Sequence, residues 1–341
     1  MADQPILSVA KIVADSVATQ TLAKIEQLVA PLRNGLGAAQ QRWVYALELA
    51  GRQACWQLAQ RPRLDSLADA EFRIFSQWGE DGIIEWLIQQ LPIEQQTFIE
   101  FGVGGYFEAN TRFLLTNRNW RGLVLDSGES LRQITGEPYY WRHDLTFGVE
   151  FITRENIDQL FAKYGFAGEI GLLSIDIDGN DPWVLQQIST VSPAILVCEY
   201  NAIFGDLRPL AVPYDAAFSI ERAHPSMLYF GGSIAAMRRI AEAKGFTFVG
   251  TCSNGVNAFF VRNDLVHHLD DKLVHRTAHP SLHRCCFDLQ GGFATRAGLA
   301  RFDMIKDLPV LDLDSGNIAP LGSLGDLFSA AWLRRIGHRA P

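Results

Sequence analysis

Four oxygen-bearing side chains crowd one short run of this sequence: Asp176, Asp178, Asn180 and Asp181 stand around Gly179 in SIDIDGND. Leu172, Leu173, Ile175 and Ile177 give the preceding residues the apolar density of a buried strand, so the acids fall at its C-terminal end. Like charges this close raise one another's pKa unless a cation or donors intervene, which favours a site over a mere turn. The next apolar run, AILVCEYN, ends in Glu199 and Asn201. Adjacent parallel strands would set these two beside Asp178. An Asp, a Glu and an Asn make a hard, oxygen-only set suited to Mg²⁺.

A second constellation lies in TFIEFGVGG, residues 97–105. Strand-type residues run into Gly102, Gly104 and Gly105, which let the chain turn and a ligand approach bare backbone. The dinucleotide fingerprint requires another glycine where this chain has Phe107. Glu100, two residues before the first glycine, would repel a pyrophosphate and attract a cationic ligand. Asp126 ends the next strand, GLVLD, 24 positions beyond Gly102. That interval is close to the one at which a carboxylate meets the ribose hydroxyls in nucleotide-binding βαβ units.

The pattern EFGVGG resembles motif I of the class I S-adenosylmethionine (SAM)-dependent methyltransferases, whose cofactor carries an ammonium and a sulfonium. SIDIDGND, the strand ending in EYN, the earlier SQWGEDGII and the later NAFFVR are together similar to FkbM-type methyltransferases over about residues 75–262. The resemblance implies O-methylation of a hydroxyl on a sugar or natural-product acceptor. It assigns Glu100, the three glycines, Asp126 and Asp176 to the cofactor. Asp144, at the end of a strand expected over YYWRHDLTF, takes the place of an acid that accepts from the adenine amino group. Gln77 covers the methionine end. Asp178, Glu199 and Asn201 face the acceptor or a Mg²⁺ ion, which the family does not uniformly require.

The elements that must position these groups alternate along the chain. A helix is expected from Glu80 to before Pro92, others over 109–117 and from a Thr153 cap to Gly165, and another in GGSIAAMRRIAEAKG. FTFVGTC and NAFFVR, separated by SNGV, read as a closing antiparallel hairpin. The expectation is a Rossmann-like α/β fold with a seven-stranded, mainly parallel sheet and an antiparallel last strand. The loop over 202–229, rich in proline and aromatics, is the candidate acceptor region. His224 within it has a near-neutral pKa suited to a general base. Before this core, apolar stripes over 5–30 and 38–60 suggest a helical hairpin turning at PLRNGLG. The resulting division is a hairpin extension over 1–70, the methyltransferase domain over 71–265 and a C-terminal extension over 266–341. The N-terminal helices are a candidate surface for pairing two subunits.

A net charge of −8 over 341 residues gives no overall basic balance for nucleic acid or an anionic membrane. Neither a leader peptide nor an apolar run long enough for a bilayer is read, and five cysteines without framework spacing fit a reducing cytoplasm. His275, His279 and His283, followed by Cys285 and Cys286, include zinc-type donors. Pro280 interrupts any single helix that would present all three histidines, and the spacing is read as coincidence. Two rival readings remain at this stage: a Rossmann-type NAD or sugar-nucleotide enzyme, and a non-catalytic binding module of the same fold.

Overall fold

The computed structural model describes residues 41–337 continuously and scattered positions between 24 and 39. Most of the expected first N-terminal helix lies outside the described residues. Of the expected turn, Pro31, Gly35 and Gly37 are described, and each is helical. An isolated glycine costs a helix only about 1 kcal/mol, too little to enforce a break. Helix α1 runs over 41–59. Of the described residues, those up to Ala50 form one compact unit and those from Gly51 onward another.

The sheet is built by strands β1 (Thr97–Phe101), β2 (Arg121–Asp126), β3 (Leu145–Val149), β4 (Gly168–Ile175), β5 (Val191–Glu199), β7 (Phe246–Thr251) and β8 (Asn257–Arg262). Their order is β3-β2-β1-β4-β5-β8-β7, with β8 antiparallel to both neighbours and the remaining pairs parallel. This is the expected seven-stranded sheet, the closing hairpin included. Strand alternation sends Phe98, Val124, Leu172 and Ile195 to one face and Ile99, Leu123, Leu173 and Leu196 to the other, giving two apolar layers.

Helices α2 (Glu80–Gln90) and α3 (Arg112–Arg118) contribute Trp86, Leu87, Leu114 and Leu115 to the first layer. Helices α5 (Ile157–Lys163), α6 (Asp181–Gln187) and α8 (Ile234–Ala243) contribute Phe161, Val184 and Met237 to the second. Ser76 Oγ accepts from Asp81 N in the first turn of α2, whose N-cap is Gly79.

One element departs from the sequence expectation. Pro138–Arg142 is a short helix, α4, with Pro138 at its first position, and β3 begins only at Leu145. The proline's fixed φ and missing N–H suit the start of a helix, a signal that outweighs the strand propensity of the two tyrosines. His143 and Asp144 therefore precede β3, at the opposite end of the sheet from the glycine loop.

The tail is tied to the loop over 202–229. Strand β6 (Leu210–Ala211) pairs with β11 (Pro309–Asp312), which pairs with β12 (Ile318–Pro320). Helix α7 (Ile220–Ala223) lies in the same loop. The tail adds a hairpin of β9 (Cys285–Phe287) and β10 (Phe293–Thr295), then helices α9 (Leu299–Ile305) and α10 (Ala330–Arg335). No helix among the described residues is long and apolar enough to cross a membrane.

Candidate active site

The C-terminal ends of β1, β4 and β5 open onto two cavities. The first, of about 530 Å³, is lined by Gly102, Gly104, Asp126, Ser127, Glu150, Phe151, Ile152, Asp176 and Asp178. The second, of about 500 Å³, is lined by Gln77, Trp78, Asp178, Glu199, Tyr200, Asn201, Met227, Phe230, His283 and Arg301, among others. Asp178 and Ile220 line both.

The glycines have distinct tasks. Gly102 has φ +81°, and a Cβ there would stand 1.2 Å from the Asp176 carbonyl oxygen, so only glycine lets β1 turn against β4. Gly104, at φ +54°, faces open space and lines the first cavity. Gly105 sits against the Phe107 ring and is not among the lining residues. Asp126 Oδ2 accepts from Gly104 N at 2.7 Å and Oδ1 from Gly128 N at 2.6 Å. It thereby fixes both loops around the cavity and keeps further lone pairs for a ligand.

Glu100 does not reach this cavity. The alternation that sends Phe98 toward α2 and α3 sends Glu100 the same way, and its carboxylate is 4% exposed. Oε1 accepts from Asn110 N at 2.8 Å; Oε2 accepts from Thr111 N at 2.9 Å and Thr111 Oγ1 at 2.5 Å. Burial raises its pKa to about 7, against the lowering effect of these donors. Glu100 thus anchors the segment between the glycine loop and α3, and the cofactor-ligand expectation gives way to a structural role.

Three further assignments are corrected by position. Asp144 is 70% exposed and 3.9 Å from Arg121, remote in the sheet from the first cavity. The residues that follow β3 are Glu150, Phe151 and Ile152, which line that cavity in its place. His224 caps α7 with Nδ1 2.7 Å from Ser226 Oγ and lines neither cavity. Gln77 lies in the second cavity rather than beside the glycine loop.

The acids after β4 divide into those that shape the turn and those that face the cavities. Asp181 Oδ1 and Oδ2 accept from Ile177 N and Gly179 N at 2.8 and 2.9 Å, and Asn180 Nδ2 donates to Asp215 O. The turn they hold places Asp178 at φ +52°, a left-handed backbone that costs a non-glycine residue on the order of 1 kcal/mol. Continuing the β4–β5 register Ser174↔Val197 and Ile175↔Cys198 brings Asp176 alongside Glu199. Oxygen atoms of Asp176, Asp178 and Glu199 all lie within 4.8 Å of one another. Burial, then the neighbouring carboxylates, pushes Asp176 and Glu199 well above the carboxylate range; removal from bulk water and the charges of Asp181, Glu221 and Asp126 raise Asp178 to about 6. Glu199 Oε2 is buried without a hydrogen-bond partner. A hard divalent cation fits this set, through Asp176, Asp178 and Glu199.

Asn201 leaves the expected metal set. Its Nδ2 donates to Leu228 O and Phe230 O, and its Oδ1 accepts from Ile203 N, so the amide clamps the loop over 202–229 instead. The tail residues Pro280, His283, Cys285, Cys286 and Arg301 went unassigned from sequence to either cavity, yet four of them line the second. The histidines that suggested zinc are separately engaged: His279 Nδ1 lies 3.1 Å from Thr251 Oγ1, while His283 stacks on Trp78.

No family model and no curated protein matches this sequence. Among solved structures, the chain is similar to the CMeT domain of the citrinin polyketide synthase at 13% identity and a TM-score of 0.34, over 54% of this chain and 51% of that one. It is similar to the N-terminal domain of EvdMO1 with SAH bound at 13% identity and a TM-score of 0.35, over 53% and 79%. An O-methyltransferase family protein from Burkholderia thailandensis aligns at 13% identity and a TM-score of 0.32, over 54% and 58%. The chain thus spans about half the length of the first of these.

Proposed function

We propose that this chain is a SAM-dependent O-methyltransferase of the FkbM-like kind, acting on a hydroxyl of a small sugar or natural-product acceptor. The observation that carries the reading is the pair of cavities meeting at Asp178, one walled by the glycine loop and acids, the other by acids and aromatics. Two reactants held on either side of one carboxylate is the arrangement a group transfer needs.

The first cavity suits the cofactor. Gly104 leaves bare backbone toward open space, and Asp126 and Asp178 supply the negative lining a cationic ligand requires. When bound, SAM supplies an electrophilic methyl group. Asp126 would accept from the ribose diol, and Phe151 and Ile152 would offer apolar surface for the adenine. In the second cavity, with no metal bound, Asp178 takes the proton of the acceptor hydroxyl; a pKa of about 6 leaves it ionised and still basic at neutral pH. Asp176, Asp178 and Glu199 would hold Mg²⁺, whose charge would lower the cost of deprotonating that hydroxyl. The described N-terminal helix, α1, serves subunit pairing in this reading, and the protein works in the cytoplasm.

Isothermal titration with S-adenosylhomocysteine, with and without Mg²⁺, tests the assignment without knowledge of the acceptor. Micromolar binding is expected, tighter with the metal. Absence of heat at several temperatures from folded protein would favour a non-catalytic module.

A further inference from the structure

The second cavity is acidic where it meets the first and rich in donors elsewhere. Arg301, on α9, lines it while only 4% exposed. Its Nη1 donates to Ser281 Oγ and to His283 O, each at 3.2 Å. Its Nε is buried with no partner, and no ion pair to Arg301 exists among the described residues. Burial lowers the pKa of the guanidinium, with Cys286 and Cys285 acting in the opposite direction. A second buried donor without a partner, Trp78 Nε1, belongs to the same lining. The Trp78 ring stacks on His283, centroids 5.9 Å apart and planes at 17°, and it is the His283 carbonyl that receives Arg301. His283 itself is held neutral, its pKa lowered to about 4 by burial and by Arg301.

An unpaired guanidinium out of water is costly, and so is a buried donor without an acceptor. Two such deficits in one cavity call for the same remedy, an oxyanion. We propose that Arg301 and Trp78 form an anion subsite, so that the acceptor carries a carboxylate or phosphate as well as the hydroxyl to be methylated. The free Nε edge of the guanidinium suits the paired oxygens of either group. The inference rests on reading this cavity as the acceptor site, and it adds an orientation: with the anion held at Arg301 and Trp78, the hydroxyl is left to face Asp178.

The test titrates the full-length protein with glucuronate, glucose 6-phosphate and glucose at constant ionic strength, with S-adenosylhomocysteine titrated separately. At least one anionic sugar is expected to bind about tenfold or more tighter than glucose, a charge-assisted contact being worth about 1.5 kcal/mol or more. Whichever of the two binds better identifies the anion. Arg301→Gln should abolish the preference. Trp78→Phe, which keeps the ring and its stack, should weaken the anionic probe about threefold or more and leave glucose unchanged, so it decides the matter if the arginine variant does not fold. Equal binding of all three sugars, or a preference untouched by both variants, overturns the subsite. S-adenosylhomocysteine binding without anion preference removes only the subsite. An Arg301-dependent preference without S-adenosylhomocysteine binding keeps the subsite and removes methyl transfer.

Discussion

Replacing Glu100 by Gln separates the two roles this residue was offered. As a cofactor ligand, its loss would weaken S-adenosylhomocysteine binding and spare the fold. As the buried anchor found here, it should do the reverse, with a pH signature. The unfolded chain ionises this carboxyl near 4.5 and the folded chain near 7. Between those values the native state holds the additional proton, so the group's contribution to stability falls as pH rises through that window. At about 1.4 kcal/mol per pH unit the whole effect is about 3 kcal/mol, of which about 2.5 kcal/mol falls between pH 5 and pH 8. Glutamine cannot ionise and lacks this slope. It also turns one N–H₂ toward the Asn110 or Thr111 backbone donors, an unmet pair costing about 1–3 kcal/mol at every pH. Urea unfolding of both proteins should therefore show the variant weaker at pH 5 and gaining about 2.5 kcal/mol on the wild type by pH 8, with S-adenosylhomocysteine affinity retained where both are folded. A stability difference that does not vary with pH, together with lost affinity, would refute the reasoning and return Glu100 to the cofactor.

Asn201→Ala leaves the Leu228 and Phe230 carbonyls without their donor and should lower stability by about 3 kcal/mol in a denaturant titration, loosening the loop over the second cavity; a loss below about 0.5 kcal/mol would show that the clamp is not made in solution. Asp178→Asn should weaken S-adenosylhomocysteine binding only about threefold while turnover, once an acceptor is found, drops about 10²- to 10⁴-fold, and unchanged turnover would remove its role as base. Asp144→Asn should leave S-adenosylhomocysteine affinity within about twofold, whereas Phe151→Ala should weaken it about tenfold through loss of an aromatic face, and calorimetry giving the opposite ranking would restore the earlier assignment.

The sheet was legible because its signals are local. Apolar runs ending in acids, helices bounded by caps and glycines, and the SNGV hairpin each specify an element without reference to distant chain, and together they predicted seven strands with the last one antiparallel. The placement of Asp144 failed where two local signals competed: tyrosines that favour a strand, and a proline that starts a helix. Moving β3 by a few residues exchanges the two ends of the sheet, and with them Asp144 for Phe151.

The sequence by itself determined which residue types gather at the strand ends: the glycine turn, Asp126, and the acids following β4 and β5. Only the tertiary structure decided what each does. Glu100, Asp181 and Asn201 resemble ligands in sequence, yet their oxygens and amide are taken up by backbone groups brought close by the fold. Asp176, Asp178 and Glu199 remain together because parallel register aligns the ends of β4 and β5. Arg301 and His283 reach the second cavity from about 100 residues farther along the chain, carried there as β11 pairs with β6. Hydrogen-bond partners and long-range strand pairing are properties of the packed chain, and no local pattern of residue types encodes them.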